Sequence, residues 1–86
     1  MDFFKKRIKQ YQEKKLEEIV SKIQFHQYMK KQAEAKLESN AYDKTKTQEE
    51  ITFNENMVEI WQRREDKLRR QMSEIYDEER DKNKFE

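Results

Sequence analysis

The 86-residue chain contains no glycine, no proline and no cysteine. Without glycine there is no glycine-rich loop to bring backbone amides against a phosphate, and without proline the interior lacks its strongest helix breaker. Without cysteine there is no disulfide framework, no thiolate zinc site and no thiol redox chemistry. No apolar run exceeds two residues, which excludes a transmembrane helix. Met1-Asp2-Phe3-Phe4 leads straight into charge, so no secretory signal is expected and a cytoplasmic location is inferred. Histidine occurs once. The residue three before His26 is Ile23, where helical di-metal sites carry glutamate, so neither a metal nor another cofactor is expected.

What remains is charge and helix-forming sequence. Charged residues make up 45% of the chain and apolar residues 33%, too few to wrap a broad core. Long helices that share a narrow apolar stripe satisfy both limits. The net charge of +1 supplies no bulk field toward nucleic acid or membrane.

Asp2 is placed to cap a first helix. Beyond it Phe4, Ile8, Tyr11, Ile19, Ile23, His26, Ala33 and Leu37 recur at about 3.6 to 3.7 residues, with Leu16 and Val20 widening the stripe. This spacing predicts helix over about residues 3–40. Residues 39–47, Ser-Asn-Ala-Tyr-Asp-Lys-Thr-Lys-Thr, form the one cluster of small polar residues that compete with helical backbone bonds. Thr47-Gln48-Glu49-Glu50 reads as a capping box, with a weaker one at Thr45. A turn at about 41–47 and a second helix at about 48–82 follow. That helix carries Ile51, Val58, Trp61, Leu68, Met72, Ile75 and Tyr76 on one stripe, with Phe53, Met57 and Ile60 beside it. The fold class is all-α: an antiparallel two-helix hairpin, a helical coiled-coil hairpin of one domain.

Charge supports the reversal. Residues 1–15 hold six cations against two anions, +4, and residues 74–86 hold three cations against six anions, −3. Folding back near residue 44 makes partner numbers add to about 88. Lys9 then approaches Glu79, Phe85 approaches Phe3, and Arg69 and Arg70 face Glu17 and Glu18. Glu59 and Arg63 form a pair one turn apart within helix two.

Three surfaces are candidates for function. Arg63, Arg64, Lys67, Arg69 and Arg70 form a basic stretch suited to phosphates, interleaved with acids that can neutralise it. The hairpin plan resembles that of small RNA-binding four-helix bundles in architecture, with no shared motif. Phe3, Phe4 and Ile8, among lysines, suit an anionic membrane surface or a helix end that closes on the acidic tail. Phe25, Tyr28, Met29, Met57, Ile60 and Trp61 are more large side chains than two helices need to cover each other. They imply a partner surface. Self-association into a homodimeric four-helix bundle is the simplest solution, and a different protein partner is its rival. No constellation for acid–base or nucleophilic catalysis is present. The expectation is therefore a non-enzymatic protein-interaction module: a regulator, adaptor or inhibitor, with a composition of the phage or mobile-element accessory kind. A nucleic-acid-binding bundle is the alternative, followed by a structural coiled coil with an amphipathic membrane contact.

Overall fold

The computed structural model describes residues 2–39 and 41–84, with side chains described at 3–39 and 41–75. Two helices, α1 (Asp2–Glu38) and α2 (Lys44–Lys84), pack against each other, and no strand occurs among the described residues. The hairpin is 67 Å long and 17 by 13 Å across.

The reversal lies slightly earlier than the capping boxes imply. Asp43 caps α2: its Oδ1 accepts from the amides of Thr45 at 2.9 Å and Lys46 at 3.4 Å. Thr47 is inside the helix. Its hydroxyl donates to the Asp43 carbonyl at 2.8 Å, and the side chain is buried against α1 rather than serving a helix start. An aspartate carboxylate at the positive end of the helix dipole is a stronger cap than a threonine hydroxyl, which is why the start moves back. The earlier turn also shortens the register. Partner numbers add to 80 for His26–Asn54, 85 for Lys30–Glu55 and 86 for Lys36–Glu50.

The contact between the helices follows a heptad. On α1 the facing positions are Lys5, Lys9, Gln12, Leu16, Ile19, Ile23, His26, Lys30, Ala33 and Leu37, in steps of four and three. On α2 they are Thr47, Ile51, Asn54, Val58, Trp61, Glu65, Leu68, Met72 and Ile75. All nine buried residues among those described fall on these two rows. This period of 3.5 keeps a seam facing its partner along a supercoiled pair, whereas a 3.6 to 3.7 step drifts off it. The expected stripe is corrected accordingly. Gln12 takes the seam position, and Phe4, Ile8 and Tyr11 are exposed, Phe4 by 77%. Ile19, Ile23 and Leu68 form the centre, with Leu16, Val58, Trp61 and Met72 packed on them.

A polar link crosses the seam near its middle. His26 Nδ1 lies 2.9 Å from Asn54 Oδ1, and both residues are buried. Asn54 Nδ2 donates to the Glu50 carbonyl at 2.8 Å, which turns its oxygen toward the ring. An acceptor there requires the proton on Nδ1 of the imidazole. The proposed approaches of Phe85 to Phe3 and of Glu79 to Lys9 lie outside the described residues.

Two stability outcomes follow. Asp43→Ala should lower unfolding free energy by about 0.5–2 kcal/mol in urea titrations followed by circular dichroism. Asn54→Leu should cost about 1–3 kcal/mol by stranding the His26 donor, and combining it with His26→Leu should recover most of that loss. If the double variant is the less stable, the link is not the source of the penalty.

Candidate interaction face

The position just before each seam residue defines a second pair of rows. On α1 this row includes Phe4, Ile8, Tyr11, Lys15, Glu18, Lys22, Phe25, Met29, Gln32 and Lys36. On α2 it includes Lys46, Glu50, Phe53, Met57, Ile60, Arg64 and Lys67. An antiparallel pair has an approximate two-fold axis normal to the plane of its helices. That axis leaves both rows on the same broad face of the hairpin. Two contacts show it directly. The rings of Phe25 and Phe53 lie 5.1 and 6.2 Å from the His26 ring, both edge-on. Lys36 Nζ reaches Glu50 at 3.9 Å across the same face.

Large exposed apolar residues concentrate on this face. Phe25 is 55% exposed and Phe53 57%, and Met29 and Ile60 are also exposed, with Met57 half-buried between them. Phe4, Ile8 and Tyr11 continue the α1 row toward the open end. The opposite face is the row that follows the seam. Among the described side chains it holds one large apolar residue, Val20, amid Glu13, Glu17, Gln24, Gln27, Glu55, Gln62 and Asp66. The hairpin is thus apolar on one side and polar on the other.

The six residues inferred as partner contacts divide. Phe25, Met29, Met57 and Ile60 share the apolar face. Tyr28 is exposed but points to the outer side of α1, two positions from the nearest seam residues. Trp61 belongs to the hairpin's own seam, packed on the central cluster, with its Nε1 buried and no protein acceptor within reach. Phe53, Phe4, Ile8 and Tyr11 join the face instead. A heptad count along each helix, offset by one from the seam, finds them.

The basic stretch does not converge. Arg63 binds Glu59 at 2.6 Å, as the four-residue spacing implied. Arg69 closes on Glu65 through Nε and Nη2 at 3.1 and 2.9 Å, and Arg70 Nε reaches the Asp66 carbonyl at 3.4 Å. The expected pairs of Arg69 and Arg70 with Glu17 and Glu18 are corrected. A carboxylate or carbonyl one turn away lies closer to each guanidinium than the facing helix does, and Glu18 lies 3.9 Å from Lys15. Arg64 stands on the apolar face with its guanidinium 4.6 Å from the centre of the Trp61 ring. Arg63 and Arg70 fall on the outer side of α2, Lys67 on the row of the apolar face and Arg69 on the polar face, by the rotation of about 100° per residue. At the N-terminus the Arg7 guanidinium sits 4.8 Å from the Phe3 ring centre.

Among the described residues no group of three histidine, cysteine or acidic side chains can hold a metal ion, and no helix is long and apolar enough to cross a membrane. No protein-family model, no curated protein and no solved structure matches the chain.

Proposed function

We propose that the protein is a non-catalytic interaction module that works by covering its apolar face with another helical surface, completing a four-helix bundle. The observation that carries this reading is the one-sidedness of the surface. Of the ten large apolar residues that stand exposed among the described side chains, Phe4, Ile8, Tyr11, Phe25, Met29, Phe53 and Ile60 lie on one face. Scattered exposed apolar residues are ordinary, but a contiguous set on one side of a molecule marks a docking surface. The seam gives a second reason. Eight of its nineteen described positions are polar, so the two helices alone bury little apolar area for their length. A second layer of helices supplies more.

A regulator or adaptor role suits such a module, because its output is the partner it holds. The face also separates the module from a phosphate-binding bundle. Its apolar block lies between residues of both signs, with Glu50 on one side and Arg64 on the other. The arginines that would serve a nucleic acid are turned to three different sides.

Phe25→Glu and Ile60→Glu should each weaken association at least about thirtyfold, since a buried charge replaces an apolar anchor at the centre of an interface. Sedimentation equilibrium reads the change. Helicity should persist because both side chains are exposed in the hairpin. Gln24→Glu on the polar face serves as the control and should leave association within about twofold of the unmodified chain. Equal effects from both faces would remove this reading.

A further inference from the structure

The apolar face carries two blocks. One lies toward the turn and consists of Phe25, Met29, Phe53, Met57 and Ile60. The other lies at the open end of α1 and consists of Phe4, Ile8 and Tyr11. Between them the rows turn polar, with Lys15, Glu18 and Lys22 on α1 and Arg64 and Lys67 on α2. The spacing of the blocks constrains what can cover both. Phe4 lies about 32 Å from Phe25 along the axis, and the turn lies about 24 Å from Phe25 on the other side. A second hairpin stacked end for end about the first block stops about 24 Å beyond it, so Ile8 and Phe4 stay in water. A second hairpin stacked turn over turn sets the first block on its own counterpart and lays the far end of α2, with Gln71 and Glu74, over Phe4, Ile8 and Tyr11.

Charge selects the same arrangement. Turn-over-turn stacking about an axis parallel to the hairpin sets α1 of each copy on α2 of the other, with partner numbers adding to about 82. Phe25 then meets Met57 of the second copy and Met29 meets its Phe53. In the polar middle Glu18 meets Arg64. Stacking end for end instead lays α1 on α1 and separates Glu18 from Arg64. Lys15 and Lys67 come together as like charges in the polar middle, where long stems carry their amines to the flanking water. Arg64 already sits over the Trp61 ring, 4.6 Å from its centre, so the cation is held at this face before a second copy arrives.

We infer that the occupant of the face is a second copy of this chain, stacked turn over turn, with Glu18 of each copy bound to Arg64 of the other. This rests on the reading of the face as a docking surface, and the experiment separates the two. Because the chain has no cysteine, Lys44→Cys gives one spin label per copy beside the turn. Pulsed dipolar spectroscopy on the dimer should place the two labels within about 25 Å, given interaxial spacings of 8–10 Å. End-for-end stacking about the first block places them about 40 Å apart. Arg64→Glu and Glu18→Arg should each raise the dimer dissociation constant about tenfold, because the symmetric interface contains each pair twice. The combined Glu18→Arg/Arg64→Glu chain should return to within about threefold of the original. Labels about 40 Å apart, or rescue of Arg64→Glu by Glu50→Arg and not by Glu18→Arg, overturn the turn-over-turn arrangement while leaving a docking face in place. A chain that stays monomeric from about 1 μM to about 1 mM overturns the second copy as occupant, and a single different partner lost in Phe25→Glu would then keep the docking face alone.

Discussion

Two helices of this length can remain in contact only if their facing residues recur every 3.5 positions. A straight row with the period of the α-helix drifts by about 20° per heptad and leaves the contact within a few turns. From Lys5 to Leu37 the seam of α1 spans between four and five heptads, enough for a straight stripe to turn about a quarter of the way round the helix. Near the turn, seam and apolar stripe coincide at Ile23, His26 and Ala33. At the open end they have separated: Lys5, Lys9 and Gln12 hold the seam while Phe4, Ile8 and Tyr11 stand on the adjoining face. The apolar character of the face at its open end is thus a geometric consequence of running an apolar pattern of one period along a contact of another.

The polar link between His26 and Asn54 sits on this seam and does a different job from the aliphatic residues around it. A buried hydrogen bond adds about 1 kcal/mol at best, while a slip of register strands both partners in an apolar setting. The cost of the wrong alignment therefore exceeds the gain from the right one, the logic by which single polar seam residues fix register in coiled coils. The second hydrogen bond of Asn54, to the Glu50 carbonyl, orients the amide and leaves only one way for the ring to meet it. Phe25 and Phe53 close over the ring edges, so the element that sets the register also underlies the middle of the apolar face. Ion pairs across the seam, Lys30 with Glu55 and Lys36 with Glu50, are half-exposed and add little energy.

The helices, the turn and the doubling back are legible in the sequence because they rest on local signals: helix-forming composition, a polar cluster between two periodic stretches, and opposite charge at the two ends. The misplaced details arise where two local signals compete. Thr47 offers a capping hydroxyl, but Asp43 offers a carboxylate four residues earlier, and the stronger acceptor prevails. Tyr11 and Gln12 are neighbours on the helix; hydrophobicity favours the first for the seam, while the 3.5 period assigns the second. Trp61 has the size of an interface anchor, yet its position in the heptad places it inside the hairpin. The arginines of α2 find oxygens one turn away on their own helix, and such pairs are visible in a sequence only when the acid at four residues is weighed against the acid across the hairpin. Asn54 carries no sequence signal as the partner of His26 until the register is known.

The seam and the face then have to be considered together. A hairpin with eight polar seam positions gains less from folding alone than its length suggests, and the apolar residues absent from the seam are those present on the face. In a dimer of the proposed kind the same two helices gain burial on both sides, so folding and association draw on one pool of apolar area. Trp61 and Arg64 mark where the two contacts meet. The indole packs inward on Ile19, Ile23 and Leu68, and the guanidinium lies over its outer surface. A cation stacked on an aromatic face keeps its hydrogen-bonding edge free for a carboxylate beyond it. In such a dimer the inner contact would hold a charge beside the outer one, and a disturbance of the seam at Trp61 would be felt on the face even with every face residue intact.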